Sequence, residues 1–424
     1  MSGFDTRIMD AEVAFEHQAL MTPLRLSSGA ITELTQATAM VTVETAGRRG
    51  VGRGAIYLSD LWAWPDPEVS HDERDRALRE YCSEIAAKLA DLCGQAAHPL
   101  ELGLRLHANS VGQTRPAMPA LARAMCASPF DAAVHDAVGQ ASGVSAFEFY
   151  HDDNAVASAD SYFPDGGACR AIRRMLLSPP RTAFDAWLIV GKDDSLEHDL
   201  ALWVHERGYR AFKVKTLGRD PAADARRTVD VYRWARRAGV ARPRISIDSN
   251  EGNADAASVA EYLDRVRAAD PEAYDAIEYL EQPTSRAIEA HSFDWRSVGR
   301  RKPVLLDEGL VDLSTLRTAV EEGWSGIAIK TCKGHSFCLV AAAWAHEHGM
   351  VVSIQDLTNP GIALIHSALL AAHVPSINGV ELNSPQFTPA ANAKWLPGMR
   401  ALFEPHDGVH RIELPMPVGL GTTV

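Results

Sequence analysis

Three carboxylates and three amines are the residues of this 424-residue chain whose types and spacing point first to chemistry. Asp248, Glu281 and Asp307 close three successive apolar runs, RISID, AIEYLE and PVLLD. Drawn together without a partner, such charges would repel one another and lose hydration, at a cost of several kcal/mol. A cation removes that cost. All-oxygen ligation suits Mg2+, one per site, with Mn2+ as an acceptable substitute. A single acid at a strand end is commonly just solvated there, but three in successive repeats ask for a common partner. Lys213 and Lys215 lie two apart in AFKVK, so alternation along a strand points both ammonium groups to one side. Lys330 closes GIAIK. With the acidic runs between them, Lys215 and Lys330 would approach the cation from opposite flanks and move a proton onto or off either face of one carbon. A lysine acts as general base only when its pKa falls towards neutrality, and burial or a like charge such as Lys213 pushes it that way.

Such residues need strands that end side by side. From about residue 184 the chain repeats a short apolar run followed by a helical stretch. The runs cover residues 184–190, 211–215, 244–248, 276–281, 303–307, 326–330, 351–355 and 379–383. Eight units of this kind predict an α/β fold, a closed (β/α)8 barrel of the TIM type, with functional groups at the C-terminal ends of its strands. A doubly wound open sheet is the runner-up, but no GxGxxG or GxxxxGK[ST] follows a strand. Before residue 160 the pattern is mixed. Strand-like alternation at 8–15, 39–43 and 52–57 precedes helical periodicity at 72–93, 119–127 and 129–143. This predicts an α+β capping domain over 1–160 and a catalytic barrel over 161–384. Residues 150–181 read as a linker, and 385–424 as a return segment packing on the first domain.

With 46% hydrophobic and 23% charged residues the chain is of globular type, and 55 acidic against 42 basic residues give a net charge of -13. That balance argues against nucleic acid or anionic lipid as partner and leaves a small molecule. Six scattered cysteines (Cys82, Cys93, Cys126, Cys169, Cys332, Cys338) form no close pair and read as reduced thiols. The absence of a secretory or membrane-spanning pattern makes cytoplasmic residence the expectation. His107, His335 and the other histidines show no metal-ligand spacing and read as surface or structural residues.

The motifs together resemble the enolase superfamily, and within it the mandelate racemase and muconate lactonising enzyme family. KVK at 213–215 looks like its KxK, DSN at 248–250 its DxN, EQP at 281–283 its Glu-Gln-Pro, and DEG at 307–309 its third-ligand segment. PFDAAVHDAVGQASG from Pro129 resembles the helix that precedes the barrel. The resemblance implies Asp248, Glu281 and Asp307 as Mg2+ ligands, Lys215 and Lys330 as acid and base, Lys213 tuning Lys215, and Asn250 in support. Lysine on the sixth strand is the muconate lactonising pattern. Gln355 and Asp356 stand where the mandelate racemase branch carries a His. In KTCKGHSF, Lys333 competes with Lys330 for the second role, and Glu381 and Asn383 replace the Asp-x-Asp of dipeptide epimerases. The implied activity is abstraction of the α-proton of a carboxylate to give a metal-stabilised ene-diolate, leading to racemisation or epimerisation, dehydration or cycloisomerisation. Homo-oligomerisation is also implied. Two segments of the first half are expected as loops covering the mouth. One is 21–34, with Ser27, Ser28 and Gly29; the other is 57–64, where Tyr57, Leu58, Trp62 and Trp64 form either an apolar wall or plain packing between domains. The rivals are a metal-free barrel with a Schiff-base lysine, as in an aldolase, and a barrel that binds metal without catalysis.

Overall fold

A computed structural model of the chain describes residues 4–26, 29–113, 117–413 and 417–422. Its first part is a three-stranded antiparallel meander, Thr6–Leu26, Gly29–Thr45 and Arg48–Tyr57. Ala46 and Gly47, both at positive φ, make the two-residue turn between the last two strands, which matches the right-handed twist of the strands it joins. Gly50, Gly52 and Gly54 all face one way on the third strand. A Cβ on Gly52 would stand 2.1 Å from Ala137 N and 2.2 Å from Ala133 O, so only glycine lets the helix Ala120–Ser142 lie backbone-to-backbone on the sheet.

That helix replaces the two expected at 119–127 and 129–143. Pro129 lies inside it, and a proline removes the amide that would bond the carbonyl four residues back. Here the Ser128 hydroxyl donates to Met125 O at 2.8 Å and takes over that carbonyl, so the helix runs through. Two further helices, Pro99–Val111 and Gly167–Met175, lie where no helix was expected. No helix among the described residues is long and apolar enough to cross a membrane.

Seven parallel strands follow in sequential order: Trp187–Val190, Ala211–Lys215, Arg244–Asp248, Ile277–Glu281, Val304–Leu306, Gly326–Lys330 and Val351–Gln355. The expected eighth strand is reduced to one bridge, Gln355 with Glu381. Side-chain amides complete the barrel seam instead. Asn378 bonds both N and O of Ile354, and Gln386 bonds both N and O of Ile189, each mimicking a neighbouring strand. Asn383 donates to Trp187 O at 3.1 Å. Alternation then fills the interior: Trp187, Ala211, Tyr279 and Leu305 form an apolar floor, and the next inward positions carry the charges. Helices after the first and fourth strands are only four or five residues long, shorter than the repeat pattern predicts. The chain end returns to the first part, where Leu420 N donates to Asp136 at 2.9 Å and Gly419 N to Val144 O.

Candidate active site

The in-register pairs Lys215 with Asp248 and Asp248 with Glu281 put three charged ends in one row. Lys213 sits lowest, within 2.8 and 3.0 Å of the two Glu281 oxygens, 3.2 Å of Asp248 Oδ2 and 3.1 Å of Glu381 Oε2. Lys215 donates to the same Asp248 oxygen at 2.5 Å and to Asn250 Oδ1 at 3.0 Å. On the far side Lys330 pairs with Asp307 and stands 3.6 Å from Glu281 Oε1. Lys215 and Lys330 thus hold opposite ends of the Asp248, Glu281, Asp307 row. Gln355 bridges Lys213 and Glu281.

Lys333 lies elsewhere. It is fully buried, donating to Asp307 O at 2.6 Å, Asp307 Oδ1 at 3.0 Å and Ala328 O at 3.2 Å. It fixes Asp307 from behind and does not reach the cavity, whereas Lys330 lines it. Gln282 fixes the same residue from the other side: at φ +33, its Oε1 accepts from the amides of Asp307 at 2.8 Å and Gly309 at 3.1 Å. Sequence reasoning passed over both Gln282 and Glu308. Glu308 is buried, takes hydrogen bonds from Trp62 Nε1 at 3.0 Å and Asn250 Nδ2 at 3.1 Å, and leaves Oε2 with no partner. The acidic pair in DEG was the available signal.

Electrostatics here are unbalanced. Six buried acids, Asp248, Glu281, Asp307, Glu308, Asp356 and Glu381, face four buried lysines, and Arg286 is spent on Glu251. Acids thus outnumber amines by two. Burial pushes Asp248, Glu281, Asp307, Glu308 and Asp356 up. Lys215 and Lys213 overcome it at Asp248, which is held at about 2. Lys330 and Lys333 likewise hold Asp307 well below the carboxylate range. At Glu281 burial and the flanking carboxylates win over Lys213, and the group is lifted to about 8. Burial and Asp307 lift Glu308 to about 7. The lysines respond in reverse: burial would lower Lys330, but Asp307 and Glu281 carry it above its ordinary value, and Glu281 and Glu381 do the same to Lys213. The lowered lysine expected of a base is therefore not the state of Lys330 in this arrangement.

Among the described residues no three His, Cys, Asp or Glu side chains stand as a ready metal cage, because the ammonium groups of Lys213 and Lys330 stand between the carboxylates. The donor set itself fits a hard divalent cation: three buried carboxyl groups from adjacent strands, no soft ligand, and two more acids than amines.

Above the row lies a narrow cavity lined by Lys213, Lys215 and Lys330. Trp62 covers one side, with Lys330 Nζ 4.8 Å from its ring centre. Leu24 and Ile31 reach over from the first hairpin. The expected loop 21–34 is therefore mostly paired strand, Leu24 opposite Ile31. Ser27 and Ser28 lie outside the described residues. Tyr57 does not line the cavity; it packs with Ile31 and Leu34 under the hairpin, its amide held by Asn359 at 2.8 Å. Leu58 and Trp64 belong to the packing between the two parts. Asp356, Glu381 and Asn383 line the cavity together with Gln355, Asn250 and Ile189.

The family model described as Enolase C-terminal domain-like matches residues 196–424. No curated protein sequence matches the chain. The fold is similar to that of muconate lactonizing enzyme from Pseudomonas fluorescens complexed with muconolactone, with a TM-score of 0.65 and 17% identity over 98% of this chain and 96% of that one. It is similar also to an enolase from Bradyrhizobium complexed with magnesium and mandelic acid (TM-score 0.64, 18% identity, 98% and 95% covered). A third is dipeptide epimerase from Enterococcus faecalis complexed with Mg and the dipeptide L-Leu-L-Tyr (0.65, 17%, 98% and 99%).

Proposed function

From the membership of this chain in the mandelate racemase and muconate lactonising enzyme family of the enolase superfamily, whose members are enzymes, we propose that it removes the α-proton of a small carboxylate with the help of Mg2+. The observation that carries this reading is the convergence of three buried carboxyl groups from adjacent strands, within a set of six buried acids against four lysines. Asp248, Glu281 and Asp307 would hold the cation, and Asn250 supports Lys215 beside it. When bound, Mg2+ would supply positive charge to the substrate carboxylate and so make its α-hydrogen more acidic.

The remaining work falls to this chain's own groups. Lys215 and Lys330 stand at opposite ends of the carboxylate row, so one amine can take a proton from one face of a carbon while the other returns it to the opposite face. Lys330 keeps its proton as long as Asp307 and Glu281 face it, which sets it as the acid; it turns base only once those carboxylates are engaged elsewhere. Lys213 ties Glu281, Asp248 and Glu381 together, and Lys333 with Gln282 fixes Asp307, so both act by positioning. Trp62, Leu24 and Ile31 exclude water from the amines. A Schiff base would need a neutral amine free of ion pairs, and Lys215 and Lys330, the two candidates for it, are both ion-paired.

The test is exchange of α-hydrogen into deuterated solvent, followed by NMR over a panel of carboxylic acids. Exchange that EDTA abolishes, Mg2+ restores and Lys215→Ala loses is the expected result. Exchange indifferent to EDTA, or undiminished in Lys215→Ala, would overturn the reading.

A further inference from the structure

Two acids line the cavity, and they differ in what they have left to offer. Both oxygens of Glu381 are committed, Oε1 to the Tyr279 hydroxyl at 2.7 Å and Oε2 to Lys213 at 3.1 Å. Asp356 is committed through one oxygen only. Its Oδ1 accepts from the amides of Thr358 at 2.9 Å and Asn383 at 3.4 Å, which fixes the plane of the carboxyl group. Its Oδ2 has no partner, although the residue is 8% exposed. An unpaired buried carboxylate oxygen is costly, and this one is held there by Thr358, a β-branched residue at φ +62. Burial, opposed by those two amides, lifts the Asp356 carboxyl to about 7, which is what a carboxylate awaiting a cation would show. Among the described residues lining the cavity none supplies one: Lys330 pairs with Asp307, Lys215 with Asp248, and Lys213 with Glu281 and Glu381.

We infer that Asp356 Oδ2 is the docking point for an ammonium group of the substrate, so that the substrate class is an aminocarboxylate, its carboxylate towards the acid row, its reacting carbon between Lys215 and Lys330 and its nitrogen just beyond the seventh strand. This rests on the proposed carboxylate chemistry and narrows it. Mg2+ would take up the two acids in excess at the strand ends, so a ligand with an ammonium group keeps the site neutral where a plain carboxylate would leave it negative. The cavity is narrow, with Ile189, Leu24 and Ile31 as its apolar faces, which favours a compact ligand.

Matched ligands test it: L-proline against cyclopentanecarboxylate, L-pipecolate against cyclohexanecarboxylate, and 4-aminobutyrate against butyrate. Binding is read by thermal shift and calorimetry in Mg2+, on the full chain and on Asp356→Asn, in which the Oδ1 contacts persist. The expected result is that, in at least one pair, the ammonium member binds the wild type about tenfold tighter or more. Asp356→Asn should erase that preference. Absence of any preference in all three pairs, whether both members bind or neither does, overturns the inference, as does a preference that survives in Asp356→Asn. Calorimetric titration with Mg2+ alone, on wild type and Glu281→Gln, keeps the two readings apart. Mg2+ binding that Glu281→Gln loses, with no ammonium preference, sinks the docking point only. Lack of Mg2+ binding sinks the carboxylate chemistry beneath it.

Discussion

Two regions of this molecule bury polar groups in quantity, and they do it in opposite ways. At the strand ends the buried groups are charged and paired, each lysine with at least one carboxylate. Where the helix Ala120–Ser142 meets the helices His335–Glu347 and Gly361–His373, the buried groups are mostly imidazoles with at least one ring nitrogen unpartnered, and among them only His135 stands beside a carboxylate, its Nδ1 3.3 Å from Asp131 Oδ1. His135 and His335 lie ring to ring at 4.6 Å, and Phe147 stacks on His373 at 3.9 Å and meets His335 edge-on at 5.5 Å. Both ring nitrogens of His335 and Nε2 of His135, His366 and His373 have no hydrogen-bond partner. Burial lowers His335 far below its ordinary value and His366 to about 4, against a weak opposing pull from Asp136. The first region pays its desolvation with ion pairs and is rigid in geometry; the second avoids it by staying neutral, and so depends on pH.

The largest effect separates two lysines of the first region. Lys330→Ala should lower α-proton exchange by about two to four orders of magnitude while the fold holds, as loss of an acid or base does. Lys333→Met should instead cost about 3–5 kcal/mol of stability in urea titration, because it strips a buried ion-pair partner from Asp307. If the two variants lose activity alike and stability alike, the division between a reacting amine and a positioning amine is wrong.

Next in size is the acid response of the second region. A histidine depressed in the fold and near 6.5 when unfolded leaves stability intact above 6.5; as pH falls towards 4 the unfolded chain gains the proton first and stability is lost. For His366 the loss by pH 5 is about 2 kcal/mol. Asp356, raised to about 7, has the opposite sign and adds stability as pH drops. Denaturation at pH 7.5 and pH 5 should therefore show His366→Met losing about 2 kcal/mol less than wild type over that interval. An identical pH dependence in the variant would mean that the imidazole is not held neutral.

The same contrast governs what could be read from sequence. Lys213, Lys215, Asp248, Glu281 and Lys330 end short strands of period two, so their common direction follows from local alternation, and their placement at one mouth follows from the repeat. Glu308 escaped because it lies one residue beyond that alternation, and Gln282 because its role depends on a backbone at φ +33. The histidines read as surface or structural residues; His135, His335, His366 and His373 are in fact all buried. They come from three helices, two of them hidden within apolar runs, and nothing local marks their meeting. Asn378 and Gln386 were invisible for a similar reason: a side-chain amide standing in for a strand leaves no periodicity behind.

The smallest effect lies on the helix that walls the histidine region. Ser128 restores the bond that Pro129 denies to Met125 O, so Ser128→Ala should cost about 1 kcal/mol, the net worth of one buried hydrogen bond. In Pro129→Ala the backbone amide can reach Met125 O by itself, and the hydroxyl becomes redundant. A double-mutant cycle in urea should then show Ser128→Ala costing about 1 kcal/mol with Pro129 present and close to nothing without it. Equal costs in both backgrounds would mean that the helix is carried through its proline by packing on Gly50, Gly52 and Gly54, with the hydroxyl contributing nothing to its continuity.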